Sequence, residues 1–300
     1  FIIEGELGRG GFGAVYKARM ISSRGFEKPV AIKTIFNPTQ IIGFLDEVRV
    51  LSMLNHENIC QVYDLIEVEN AYFMVMEYIN GYDLDDIIKK MRKIGIYFDL
   101  DEIIYILIKT LEALDYAHNF RTEDGRELKI VHRDVSTKNI MINMNGTVKL
   151  MDFGIAKFEG QEHYTMTGVI KGNPAFMAPE LVTTKDIDKR ADIFSAGCVF
   201  YALLHNGKTP FSGETPLETV NNILTKEFKS IDEELKHKFG EDVFNQINDI
   251  LRKSLAKDKN QRYASAREAI DDLDKLMDKI GRKREYEIKE KIKEKLKKIY

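Results

Sequence analysis

The spacing of apolar positions changes near residue 80. Before it, "FIIEGELG", "FGAVYKARM" and "PVAIKTIF" are short runs rich in β-branched and aromatic residues, broken by Gly or Pro, which is the pattern of strands. One segment departs from that pattern. In "TQIIGFLDEVRVLSMLN" the apolar positions Ile41, Phe44, Leu45, Val48, Leu51 and Leu54 follow helical spacing. "QVYDLIEVENAYFMVMEY" reads as two strands around a turn at Glu69–Asn70.

After Asn80 the pattern is helical. "LDEIIYILIKTLEALDYAHN" predicts a long, strongly apolar helix, and "ADIFSAGCVFYALLHNG" another that stops at the C-cap signal Asn206–Gly207. Further helices are predicted around Leu217–Lys226, Glu241–Leu255 and Ala264–Lys279. Strands first and helices second imply an α+β chain with two lobes and a cleft between them, 1–79 and 80–280. In the charged tail 281–300, Ile288, Ile292, Leu296 and Ile299 could form one face of an amphipathic helix, and a solvated helical linker is the expectation there.

Composition narrows the classes. The 300 residues, 44% hydrophobic and 31% charged, suffice for a sizeable core. A net charge of -3 gives no basic field, so nucleic acid is not an expected partner. Cys60 and Cys198 are the two cysteines, and neither has metal-ligand or disulfide-framework spacing. No signal peptide and no bilayer-length apolar run occur, so a cytoplasmic location without membrane contact by this domain is expected. "FIIEGELG" lacks an initiator Met and already reads as strand, as in a fragment of a longer protein.

Chemistry concentrates in "VHRDVSTKNIMINMNGTVKLMDFG", Val131 to Gly154. Asn145–Gly146 is a strong hairpin-turn signal. A two-residue turn there pairs Met144 with Thr147 and, counting outward, Asn139 with Asp152. An amide and a carboxylate side by side suit Mg²⁺, although a plain cross-strand hydrogen bond explains the pair equally well. Asp134 precedes the hairpin, where a carboxylate could orient an attacking hydroxyl, and Arg133 beside it could pair with a phosphate. Upstream, Gly8, Gly10 and Gly13 form G-x-G-x-x-G between two strand patterns, suited to phosphate approach or simply to a loose hairpin. Alternation in "VAIK" puts Ala31 and Lys33 on one strand face. Glu47 shares the buried stripe of its helix with Leu51 and Leu54, and a buried carboxylate needs a partner such as Lys33.

These elements follow one another in order: the Gly-rich loop, "VAIK", Glu47, "MEYING", "HRDVSTKN", "DFG", "MAPE", "ADIFSAGC" and Arg262. The ordered set resembles the catalytic domain of eukaryotic-like Ser/Thr protein kinases over nearly all of Phe1–Lys279. "HRDVSTKN", "DIFSAGC" and the insert "NFRTEDGRELK" are similar in style to bacterial members. The resemblance implies a bilobal kinase fold, with a small β-rich N-lobe carrying one helix and a large helical C-lobe. ATP and Mg²⁺ would be the cofactors and protein hydroxyls the acceptors. The three glycines would cover the phosphates, and Lys33 would hold the α- and β-phosphates and pair with Glu47. Met76 would be the gatekeeper, Glu77 and Ile79 would offer backbone to adenine, Val15, Ala31 and Met141 would sandwich the base, and Asp83 would lie near the ribose. Asp134 would be catalytic, with Asn139 and Asp152 as metal ligands. Leu51, His132 and Phe153 would join an internal spine, Glu180 and Arg262 an ion pair, and Asp192 would anchor the catalytic loop.

The chain departs from the family pattern twice. Ser136 stands where Ser/Thr kinases usually carry Lys, and Asn173 where they carry Thr. Lys138 occupies the place of the receptor-tyrosine-kinase Arg, so it is expected to supply the missing cation while Asn173 bonds to Asp134. Thr165 and Thr167 match activating phosphothreonines of bacterial members, with Arg133 as the phosphate partner. A homodimer is one arrangement that would serve autophosphorylation. The rival readings are a pseudokinase scaffold, a Tyr or dual-specificity kinase, and a small-molecule kinase. "MAPE" and the helices after it disfavour the last.

Overall fold

The computed structural model describes residues 1–9, 13–35, 41–69, 71–153, 174–183 and 186–300. The first part is a five-stranded antiparallel sheet. Its strands are β1 (Ile2–Arg9), β2 (Gly13–Ile21), β3 (Glu27–Ile35), β4 (Val62–Val68) and β5 (Ala71–Glu77), in the order β1-β2-β3-β5-β4. Helix α1 (Ile41–Met53) buries Phe44, Glu47, Val48 and Leu51. The alternation read in "VAIK" is what sorts β3. Val30 and Ile32 join Ala18 and Val75 in a small core on one face, while Ala31 belongs to the main core.

A short three-stranded sheet begins the second part: β6 (Gly81–Asp83), β7 (Ile140–Asn143) and β8 (Val148–Leu150), with β7 in the middle. Helices build the rest: α2 (Leu84–Ile94), α3 (Leu100–His118), α4 (Pro179–Thr183), α5 (Arg190–Leu204), α6 (Pro216–Thr225), α7 (Glu234–Phe239), α8 (Glu241–Ser254), α9 (Ala266–Lys279) and α10 (Glu285–Ile299). The central α3 packs on α5 and α9. Helix α5 is buried nearly all round, from Ala191 to Leu204. The chain leaves it through Asn206 and Gly207, both in the left-handed region, and Gly207 N–H donates back to the Ala202 carbonyl at 2.7 Å.

Strand β6 and helices α2, α4 and α7 escape the sequence reading. Helix α2 carries a clear stripe of Leu84, Ile87, Ile88 and Met91 at helical spacing, all buried. Its ends are marked as well: Asp83 Oδ1 accepts from the Asp86 amide, and Gly95 closes the far end at φ 73°. The tail is a helix, as its spacing predicts, but it is docked and not a solvated linker. Ile288, Ile292 and Leu296 are buried in the main core, each contributing about 1.5–3 kcal/mol. Lys291 reaches Asp101 and Asp99, and Lys295 reaches Asp99 and Glu102. No helix among the described residues is long and apolar enough to cross a membrane. Cys60 and Cys198 are buried free thiols, pushed up by burial beyond the ordinary thiol range.

Candidate active site

Lys33 gathers the site. Its Nζ lies 3.1 Å from Glu47 Oε1 and 2.8 Å from Asp152 Oδ1, joining β3 to α1 and to the segment after β8. Burial works against its charge, but Asp152 and Glu47 outweigh it, so the ammonium is held above its ordinary range. Glu47 is 6% exposed, and the stripe position that flagged it needs this partner.

Sheet register places the nucleotide-facing candidates. Ala31 lies directly opposite Met76 and Val15 opposite Lys33. Across the cleft, Asp83 on β6 is opposite Met141 on β7. Ile79 is buried. The Glu77 side chain turns to the rear, where Lys149 Nζ lies at 2.8 Å and the Gln61 amide at 3.3 Å. Asp83 already caps α2 through Oδ1, and burial pushes its carboxyl up. Gly8 and Gly13 flank residues 10–12, so Gly10 lies outside the described residues. Gly13 has a local reason of its own: a Cβ there would sit 1.9 Å from the Thr34 carbonyl oxygen on β3.

The catalytic-loop candidates hang from Asp192 on α5. Its carboxylate accepts from the backbone amides of His132 at 2.8 Å and Arg133 at 2.7 Å, and from His118 Nε2 at 2.7 Å. Burial alone would raise this carboxyl, yet His118, His132 and the amides hold it low. His118 is missed by the sequence reading, since a polar residue at a helix end carries no signal of its partner. The amides it helps to fix let Arg133 take φ 65°. His132 Nε2 bonds to the Met151 carbonyl at 2.8 Å, and its ring lies 4.4 Å from that of Phe153. Leu51 and Phe153 line one cavity with Cys60, Met74 and Met76.

The hairpin differs from its predicted register. Ile142 pairs with Val148 and Ile140 with Leu150, and the Asn143 amide donates to the Thr147 carbonyl at 2.9 Å. The loop therefore has three residues, Met144, Asn145 and Gly146, and Asn139 bonds to Met151 rather than opposing Asp152. Asn139 instead serves Asp134. Its Nδ2 donates to the Asp134 backbone oxygen and to Oδ2, both at 2.8 Å. With the nitrogen so committed, the amide oxygen is the ligand atom Asn139 has to offer. That oxygen and the Asp152 carboxylate are hard donors of the kind Mg²⁺ takes, so the donor set fits the ion.

Arg262 and Glu180 form a buried bidentate pair at 2.6 and 2.9 Å. Ser136 is buried and its carbonyl accepts from the Asn139 amide at 3.1 Å, while Lys138 is exposed. Thr165, Thr167 and Asn173 lie outside the described residues.

Comparison with known proteins shows the family and the fold. The family described as protein kinase domain matches residues 1–273. Tyrosine-protein kinase MasK of Myxococcus xanthus is 34% identical over 282 residues, covering 92% of this chain and 43% of MasK. A probable serine/threonine-protein kinase of Streptomyces coelicolor is 32% identical over 283 residues, covering 91% of this chain and 39% of its own length. The chain thus spans about two-fifths of these relatives. The crystal structure of the Mycobacterium tuberculosis PknI kinase domain superposes with a TM-score of 0.65 at 23% identity, over 91% of this chain and 95% of that one, a likeness of fold. On the match over 273 of its 300 residues, this chain belongs to the protein kinase domain family.

Proposed function

We propose that the chain transfers the γ-phosphoryl of ATP to Ser and Thr hydroxyls of proteins. The observation that carries this reading is Lys33 pairing at once with Glu47 and Asp152, residues 14 and 119 positions away, which supports a role for its ammonium in binding phosphate. Asp152 and Asn139 would hold Mg²⁺, which would supply positive charge to offset that of the phosphates. The chain's own residues do the rest. Lys33 binds the α- and β-phosphates. Asp134, fixed by Asn139, accepts the hydrogen bond of the incoming hydroxyl and aims it. Closure of the two lobes excludes water. The lobes are divided at 79–80, and the helical tail continues the second.

The missing family Lys is replaced by Lys138, four residues after Asp134. Lys138→Met is expected to lower kcat about 10²-fold with KM for ATP little changed. Unaltered turnover would leave Lys138 as an ordinary solvated side chain.

Regulation by phosphorylation at Thr165 or Thr167 follows from the same reading, with Arg133 as the phosphate's partner. Mass spectrometry after incubation with MgATP is expected to find one of them modified. An active enzyme modified at neither would refute the idea.

A second reading, transfer to Tyr, is favoured by Ser136 in place of Lys and by the similarity to the Myxococcus tyrosine-protein kinase. γ-labelled ATP with a mixed protein substrate, followed by phosphoamino-acid analysis, separates the two. Label in Ser and Thr supports the main reading, label in Tyr alone the second, and no label the scaffold alternative.

A further inference from the structure

We propose that α10 is a strap that sets nucleotide affinity from behind the cleft, with Tyr300 as the positioning residue for Asp83. The proposal rests on the reading of Asp83 as a ribose-side residue of an ATP site.

The helix is fixed twice over before Tyr300 is reached. Its buried stripe of Ile288, Ile292 and Leu296 faces α2 and α3, and Lys291 and Lys295 lock its register against Asp99, Asp101 and Glu102. Both ends of the helix then grip the three-stranded sheet. Near its start, the backbone of Lys289 lies over the β7–β8 turn. A Cβ on Gly146 would come within 2.8 Å of the Lys289 oxygen, and Gly146 stands at φ 85°. At its end, the Tyr300 ring stacks on Tyr82 of β6, with centroids 3.2 Å apart and planes 5° from parallel. The Lys90 ammonium lies 3.5 Å from the Tyr300 ring centre. The Tyr300 hydroxyl donates to Asp86 Oδ2.

These contacts surround one carboxylate. Tyr82 directly precedes Asp83 on the strand, and Asp86 is the residue whose amide Asp83 Oδ1 caps at 2.9 Å. Tyr300 therefore holds the residue on one side of Asp83 through its ring and the residue on the other through its hydroxyl. Across the ladder Asp83 faces Met141, one register step beyond the Tyr82–Ile142 pair on which the Tyr300 ring stacks. Tyr300 remains 38% exposed, so the stack adds little burial. Its consequence is orientation of the ribose edge, not stability of the lobe.

The test uses the 300-residue chain. Tyr300→Ala is expected to raise KM for ATP and the ADP dissociation constant about five-fold, the worth of one aromatic stack. Its kcat at saturating ATP stays within about two-fold of wild type, and the amides of residues 81–86 exchange hydrogen faster. Tyr300→Phe, which keeps the ring and loses the hydroxyl, falls between. Glu294→Ala, a change at an exposed position of the helix, leaves every one of these readouts alone. A loss of kcat with unchanged KM would mean a merely structural role and overturn the proposal, as would unchanged exchange at 81–86. A wild-type chain that bound no ADP would instead bring down the ATP reading, and the exchange measurement alone would then judge the strap.

Discussion

Asp134→Asn is expected to cut turnover by about 10²–10⁴-fold, the range of a lost general base, while the unfolding midpoint and ADP affinity stay near wild type. The substitution keeps the volume of the side chain and an oxygen to accept the Asn139 Nδ2 hydrogen bond, now 2.8 Å long. It removes the negative charge and the capacity to take a proton. The loop itself is held elsewhere, by Asp192 on the amides of His132 and Arg133, so its shape survives the change. Single-turnover transfer from γ-labelled ATP at saturating nucleotide measures the chemical step directly. A loss smaller than about ten-fold would remove Asp134 from the chemistry. A loss matched by a lowered unfolding midpoint would make it a structural residue instead.

What the sequence made legible was what local periodicity can carry. Strand alternation separated Ala31 and Lys33 from Val30 and Ile32, and helical spacing put Glu47 on a buried stripe where only a partnered carboxylate can remain. Both are properties of one element. The misread hairpin shows where such reasoning stops. Asn-Gly favours a two-residue turn, but here Asn143 Oδ1 accepts from the Asn145 amide and Asn145 Oδ1 from the Thr147 amide. Those side-chain bonds widen the loop to three residues, with Gly146 in the left-handed region and the α10 backbone packed over it. One residue of slip moved Asn139 from Asp152 to Met151. Each of the pair is placed by another group instead: Asn139 by Asp134, and Asp152 by Lys33. The docking of the tail was unreadable for a related reason. Its lysines look solvated until α3 supplies Asp99, Asp101 and Glu102, a match between segments nearly 200 residues apart.

Arg262→Met should be the most destabilising single change in the helical lobe, about 3–5 kcal/mol out of a total of about 5–15. The guanidinium has five N–H groups and uses all of them. Two go to Glu180, at 2.6 and 2.9 Å. The others go to the carbonyls of Ala256 at 2.8 Å, Arg190 at 3.0 Å and Lys257 at 3.1 Å. Arg262 thus ties α4, the start of α5 and the turn after α8 into one knot, with its side chain wholly buried. Removing it strands a buried carboxylate and three carbonyls together. Glu180→Gln breaks the same ion pair but keeps an oxygen acceptor and leaves the three carbonyl bonds intact, so it should cost only about 1–3 kcal/mol. The inequality is the test. In urea unfolding followed through the C-lobe, Arg262→Met must lose more than Glu180→Gln, and the double variant with Glu180→Leu must recover part of the loss by removing the stranded charge, though not the part owed to the carbonyls. Equal losses from the two single changes would mean that the ion pair alone holds the knot and that the carbonyl bonds contribute nothing.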